Sequence, residues 1–142
     1  MRSMVALIDA NVIINYMTGR EDHEKESSRK VIEMCARNQI LGYIAFHSLS
    51  TIWYVFRKRP KDETRKWLKQ ICGILKVTGA SHEEVVNAIE KESFTDFEDC
   101  LQDKCAKEVL ADYIVTVNTK DYIMAETPAI LPSEMVRLLS QQ

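Results

Sequence analysis

Glycine and proline are scarce in this chain, which has only 4 Gly and 3 Pro among its 142 residues. That scarcity argues against a collagen-like, low-complexity or disordered protein. Hydrophobic residues account for 46% of the chain and charged residues for 28%, a balance typical of a compact, helix-rich protein. Because the length also suits one hydrophobic core, we predict a single domain spanning residues 1–142.

The sequence also lacks the cysteine and histidine spacings of a zinc site or a redox pair. Its four cysteines and three histidines are isolated along the chain, and none forms a Cys-x-x-Cys pair: Cys35, Cys72, Cys100, Cys105, His23, His47 and His82. No residue pattern around them indicates an activated nucleophile. We therefore expect the cysteines to be small buried hydrophobic residues.

A strong excess of one charge and a long apolar run are both missing. The formal net charge of -2 excludes a protein that coats nucleic acid through overall basicity, although a local basic patch remains compatible with it. No apolar run approaches the roughly 20 residues of a membrane-spanning helix, and the N-terminus does not have the pattern of a signal peptide. We expect a cytoplasmic protein without a membrane segment.

Short apolar runs alternate with amphipathic stretches along the chain. The runs predict strands at residues 4–8, 42–46, 76–78, 113–117 and 129–131. The stretches between them predict helices at about 12–17, 23–37, 49–58, 62–75, from 82, from 95 to 110 and from 132. This alternation predicts a three-layer α/β/α sandwich with a central parallel sheet of about four to five short strands.

Polar residues at several helix starts predict caps. Asn11 and Ser48 are the expected N-caps of the helices at 12–17 and 49–58. Ser81 with Glu84, and Thr95 with Glu98, have the spacing of capping boxes.

Acidic side chains follow two of the predicted strands directly. Asp9 comes after residues 4–8, and Asp121 follows shortly after residues 113–117. A third acidic cluster contains Asp96, Glu98 and Asp99. Ligands of parallel α/β sheets collect beyond the carboxyl ends of the strands, so we expect these acids to meet there. Clustered carboxylates repel one another unless a cation is bound, and Mg²⁺ or Mn²⁺ would suit oxygen ligands of this kind and support phosphodiester hydrolysis.

Each polar residue of this cluster also has an ordinary structural explanation. Asn11 and Asn118 are common N-cap residues, and acids in the first turn of a helix interact favourably with its dipole. Asp9 is different in this respect, because we assign the cap of the following helix to Asn11. A carboxylate that ends a buried strand without a capping role favours a functional explanation.

Three segments resemble the PIN domain, a nuclease domain best known from the toxins of bacterial and archaeal toxin–antitoxin pairs. They are LIDANVI at 7–13, FTDFED at 94–99 and DYIVTVNTKD at 112–121. The last is the most specific, since it resembles the family's strand ending in Thr-x-Asn with Asp three residues later. The resemblance implies a PIN-like fold and an endoribonuclease whose metal-binding and catalytic acids are Asp9, Asp99 and Asp121. The supporting residues that it implies are Asn11, Thr116, Asn118 and Asp96.

One acid of the family pattern is absent. PIN nucleases commonly carry a glutamate on the helix after the second strand, and this chain has Thr51 at the corresponding position. Three acids could still bind one Mg²⁺. A noncatalytic PIN-like module that binds RNA or protein is the main alternative. A phosphotransferase using Asp9 as a covalent nucleophile is another, although such enzymes carry a second Asp where this chain has Asn11.

Substrate and partners follow from the resemblance more than from the residues. The basic run at 57–61 and the cations of the next helix could track a phosphate backbone, with Trp53 and Tyr54 stacking on bases. A solvated helix face and aromatic core residues are the simpler alternatives. The resemblance implies single-stranded RNA as the substrate, a small cognate antitoxin as a partner, and a homodimer.

Overall fold

The computed structural model describes residues 3–19, 23–94 and 96–141, which form an α/β fold around a parallel sheet. The five strands of this sheet are β1 (Met4–Ile8), β2 (Ile40–Ala45), β3 (Lys76–Thr78), β4 (Tyr113–Val115) and β5 (Ala129–Ile130). Their order is β3-β2-β1-β4-β5, and every neighbouring pair is parallel. The predicted fold class is therefore confirmed.

Within the described part of the chain, seven helices flank the sheet. They are α1 (Ala10–Thr18), α2 (Lys25–Ala36), α3 (Phe46–Val55), α4 (Lys61–Ile74), α5 (His82–Glu90), α6 (Phe97–Glu108) and α7 (Pro132–Ser140), with a short 3-10 helix at Thr119–Tyr122. Among the described residues, none of these helices combines the length and apolarity needed to cross a membrane.

Strand β1 lies at the centre of the sheet and is buried on both faces. Ala6 and Ile8 belong to a core shared with α1, α2 and α7, whereas Leu7 belongs to a second core with Cys105 and Ala106 of α6. Successive side chains of a strand point to opposite faces, so these two cores are the two sides of one sheet. Helices therefore cover both faces, which explains why β1 is a continuous apolar run.

The register of β1 and β4 determines what lies at the centre of the carboxyl edge. Ile8, the last residue of β1, pairs with Val115, the last residue of β4. The Asp9 backbone N–H donates to the Val115 carbonyl at 2.9 Å. Asp9 and Thr116 are therefore neighbours at the edge, although 107 positions separate them in the sequence.

Several predicted boundaries are wrong by a few residues. β2 begins at Ile40 rather than 42, β4 ends at Val115 rather than 117, and α3 begins at Phe46 directly after β2. Ser48 therefore lies inside α3, where it is buried against Gln102 and cannot be the N-cap. Strand ends depend on pairing with a neighbour, which local apolar patterns do not reveal.

The predicted capping box of α5 is correct, whereas the predicted N-caps of α1 and α3 are wrong. Ser81 and Glu84 form the expected capping box of α5. Helix α1 is capped by Asp9 rather than Asn11. Helix α6 is capped by Asp96, and Thr95 of the predicted capping box lies outside the described residues.

The cysteines are free, and three of the four are buried as predicted. Cys35, Cys100 and Cys105 lie in the interior, whereas Cys72 is exposed on α4, contrary to prediction. Helix α4 is amphipathic, with Ile71 buried one position before Cys72. Consecutive residues of a helix point about 100° apart, so Cys72 faces away from the core.

Candidate active site

A polar crevice of about 280 Å³ opens at the carboxyl edge of the sheet, beyond β1 and β4. It is lined by residues that follow these strands, by the first turn of α6 and by one residue of α3. They are Asp9, Ala10, Asn11, Ile14, Thr51, Asp96, Glu98, Asp99, Asn118 and Asp121. Among the predicted site residues, only Thr116 does not line the crevice, because it is buried directly beneath it.

Asp9 is half-buried and accepts hydrogen bonds at both carboxylate oxygens. Oδ1 accepts from the Ala10 backbone N–H at 2.8 Å and from Gln102 Nε2 at 3.4 Å. Oδ2 accepts from the Thr116 hydroxyl at 2.9 Å and from the Tyr122 hydroxyl at 3.0 Å. Burial nevertheless raises the pKa of Asp9, outweighing these hydrogen bonds. The carboxylate is held in one orientation and still lacks part of the stabilisation that water would provide.

The cap of α1 corrects the argument that singled out Asp9. Asp9 itself is the N-cap, so it does have the structural role that we assigned to Asn11. Capping explains the bond from the Ala10 N–H but not the bonds from Thr116 and Tyr122, which belong to the segment after β4. An N-cap needs only one hydrogen bond from the helix backbone, so capping does not account for the other donors that converge on the Asp9 carboxylate.

Asn11 connects the end of β1 to the segment after β4. Its Nδ2 donates to Asp9 Oδ2 at 3.3 Å and to Thr116 Oγ1 at 3.2 Å, while its Oδ1 accepts from the Val117 backbone N–H at 3.2 Å. Thr116 in turn accepts from the Asn118 backbone N–H at 3.1 Å. Asn11 and Thr116 thus orient Asp9 and hold the two strand ends together.

Asp99 carries the clearest electrostatic signature of the crevice. It lies in the first turn of α6, and its pKa is raised to about 7, first by burial and then by the negative charges of Asp96, Asp121 and Asp9. A hydrogen bond from Tyr122 opposes this rise. The carboxyl group is therefore only partly ionised at neutral pH in the absence of a cation.

Asp121 and Asn118 approach from the segment after β4. The 3-10 helix begins after Asn118, whose carbonyl accepts from the Asp121 backbone N–H at 3.0 Å. Asn118 is the N-cap residue of this 3-10 helix, as predicted, but its side chain makes no capping hydrogen bond. Both residues are exposed and line the crevice.

Asp96 has a clear structural role. Its Oδ1 accepts from the backbone N–H groups of Glu98 at 2.8 Å and Asp99 at 3.3 Å, which caps α6. This cap fixes the first turn of α6, and with it the direction in which Asp99 enters the crevice.

Sequence analysis did not identify Tyr122 and Gln102 as part of this arrangement, and it explained Glu98, a member of the acidic cluster, by a capping role. Tyr122 and Gln102 are buried and donate to Asp9, and Glu98 faces the crevice beside Thr51. Gln102 follows Asp99 by one helical turn, a spacing that could have placed it on the same face of α6. No local pattern distinguishes Tyr122 from an ordinary core aromatic.

The donors at the crevice fit a hard divalent cation. The polar side chains that line the crevice are five carboxylates, two amides and one hydroxyl, and the mutual repulsion of the carboxylates is the condition that a cation relieves. Within residues 3–19, 23–94 and 96–141, no group of three or more aspartate, glutamate, histidine or cysteine side chains forms a cage that could hold a metal ion. Mg²⁺ commonly uses only one or two carboxylates and retains several waters, so it does not require such a cage.

Comparisons with known proteins agree with this architecture. A family model described as PIN domain matches residues 5–120. Ribonuclease VapC1 of Aquifex aeolicus (strain VF5) is 26% identical over 138 residues, covering 94% of either protein. The structure of VapBC2 from Rickettsia felis bound to a promoter DNA fragment is similar with a TM-score of 0.67, at 18% identity, covering 89% of this chain and 96% of that one. VapBC-1 from nontypeable Haemophilus influenzae gives a TM-score of 0.66 at 16% identity, covering 92% and 99%.

Proposed function

Because this chain belongs to the PIN domain family, we propose that it is a Mg²⁺- or Mn²⁺-dependent endoribonuclease and the toxin of a toxin–antitoxin pair. The observation that carries the proposal is the approach of Asp9, Asp99 and Asp121 to one crevice from three separate segments. The similarity to Ribonuclease VapC1 over nearly the whole chain supports RNA as the substrate.

In the proposed chemistry, the three aspartates share one role and the neighbouring polar residues support them. Asp9, Asp99 and Asp121 would hold the cation, which when bound polarises a phosphoryl oxygen and lowers the pKa of an attacking water. Asn11, Thr116 and Tyr122 keep Asp9 in place through their hydrogen bonds to Oδ2. Asn118 is placed to contact water or substrate at the mouth of the crevice, and Asp96 supports Asp99 by capping α6.

A basic and aromatic surface at the end of α3 provides a path for the RNA strand. Arg57 stacks over the Tyr54 ring with its guanidinium carbon 4.0 Å from the centroid, and both residues are exposed. Arg65 lies 5.2 Å from the Trp53 ring centroid. Tyr54 follows Thr51 by three residues, so this surface extends from the crevice along one face of α3. An exposed tyrosine ring and a half-buried tryptophan ring, each beside a cation, suit a phosphate backbone with unpaired bases.

An antitoxin partner is supported by the similar structures, which are described as VapBC proteins, one of them bound to promoter DNA. We propose that a small cognate antitoxin binds this chain and inhibits it, and that the chain is a cytoplasmic homodimer. Analytical ultracentrifugation of the purified chain tests the dimer, and co-purification with the product of a neighbouring short gene tests the partner.

The decisive experiment is cleavage of single-stranded RNA with Mn²⁺. We expect cleavage that EDTA abolishes and that Asp9→Asn reduces to background. Activity that survives either treatment would refute the proposed mechanism.

A noncatalytic PIN-like module is the second candidate, and the threonine at position 51 is the observation that favours it. Calorimetric titration with Mn²⁺ separates the two candidates. Absence of binding at millimolar Mn²⁺, together with retained RNA binding, would support the module.

A further inference from the structure

Helices α3 and α6 meet beside the crevice through two side-chain contacts, one helical turn apart. The Ser48 hydroxyl lies 3.4 Å from Gln102 Oε1, and the Thr51 hydroxyl lies 3.2 Å from Glu98 Oε1. From the first contact to the second, the chain advances three residues on α3 and goes back four on α6. The two helices therefore run in opposite directions here, and their register places Glu98 against Thr51.

This contact holds Glu98 at the crevice that the other acids line. Glu98 lines the same crevice as Asp9 and Asp99, and its negative charge contributes to the raised pKa of Asp9. It also acts on His47 in the first turn of α3, where it opposes the lowering of the histidine pKa by burial. The charge of Glu98 thus acts both on Asp9, directly after β1, and on His47 of α3.

The helix dipole alone does not account for this arrangement. Glu98 is the second residue of α6, a position where any acid interacts favourably with the helix N-terminus. Glu83 occupies the same position in α5 without lining the crevice. The dipole needs no hydroxyl partner on another helix, whereas Glu98 has one in Thr51.

We infer that Glu98 is the fourth acidic residue of the site, and that it supplies from α6 the carboxylate that Thr51 does not provide on α3. The inference rests on the proposed metal-dependent function. Thr51 then has a positioning role, since its hydroxyl orients the Glu98 carboxylate at the edge of the crevice. The absent glutamate is replaced by an acid from a facing helix, and the number of carboxylates in the site is restored.

Mn²⁺ affinity, measured by isothermal titration calorimetry on the full chain, tests this inference without any activity readout. Glu98→Gln should weaken Mn²⁺ binding by roughly 10-fold or more, a loss typical of groups that support a metal site. Glu83→Gln is the matched control, because it removes the same charge from the same helical position, and it should bind Mn²⁺ like the wild type. The double variant Glu98→Gln/Thr51→Glu returns the acid to α3 and should recover most of the lost affinity.

Three outcomes distinguish this inference from the proposed function. Wild-type affinity in Glu98→Gln, with binding abolished by Asp9→Asn, would overturn the role of Glu98 and leave the proposed function standing. Failure of the double variant to recover affinity would overturn the substitution of Glu98 for an acid at position 51. If the wild-type chain itself bound no Mn²⁺, both would fail. Melting temperatures of all variants confirm that the compared proteins are folded.

Discussion

Removing the Asp99 charge should stabilise the protein when no divalent cation is present. The pKa of this carboxyl group rises from its ordinary 3.8 to about 7 on folding, because of burial and three neighbouring negative charges. A group with a raised folded pKa contributes stability that is fully present below pH 3.8 and is lost as the pH rises through 7. Above that pH, the folded protein must hold Asp99 as an unfavourable anion.

The size of the effect follows from the shift. Each pKa unit corresponds to about 1.4 kcal/mol, so the upper limit is about 4 kcal/mol at pH 8. Asp99 is only half-buried, and screening by water reduces the expected gain to roughly 1–2 kcal/mol. For a domain of this length, that gain raises the melting temperature by about 3–8 °C.

The assay is urea and thermal unfolding of Asp99→Asn in EDTA between pH 4 and pH 8. Asparagine has nearly the size of aspartate and no charge, so the variant should be more stable than the wild type at pH 8, with the difference vanishing toward pH 4. Asp62→Asn, in the first turn of α4, is the control and should not stabilise at either pH. Mn²⁺ should stabilise the wild type and not Asp99→Asn. A variant less stable than the wild type at pH 8 would refute the electrostatic reasoning.

Three further perturbations probe the site, the core and the proposed RNA path. Tyr122→Phe removes a hydrogen bond to a buried carboxylate and should cost about 1–3 kcal/mol in urea unfolding at pH 7; a neutral result would contradict the bond. Gly42→Ala would place a β-carbon 2.6 and 2.7 Å from two core side-chain atoms, so it should lower the free energy of unfolding by about 1–3 kcal/mol. In the same assay, Gly73→Ala is the contrasting variant, because its β-carbon would meet nothing within 4 Å, and it should stabilise α4 by about 0.5–1 kcal/mol. Arg57→Ala should raise the KM for RNA cleavage and weaken its salt dependence without changing kcat, and an unchanged KM would remove this arginine from the path.

Much of the architecture was accessible from local sequence patterns. The apolar run at Met4–Ile8 predicted a strand covered on both faces, and the alternation of such runs with amphipathic stretches predicted parallel pairing. The caps of α1 and α3 were not accessible in the same way. Both helices begin directly after a strand, and the exact end of a strand depends on its hydrogen-bonded neighbour.

In the candidate site, too, some features were predictable from local sequence patterns and others were not. The sequence by itself determined that Asp9 and Asp121 follow strands and that Asp99 lies in the first turn of a helix, because strands and caps leave local signatures. Only the tertiary structure decided that Thr116 and Tyr122 donate to Asp9, and that Glu98 faces Thr51. Strand order and helix register bring these side chains together from positions 47 to 113 residues apart, and no local periodicity encodes such distances.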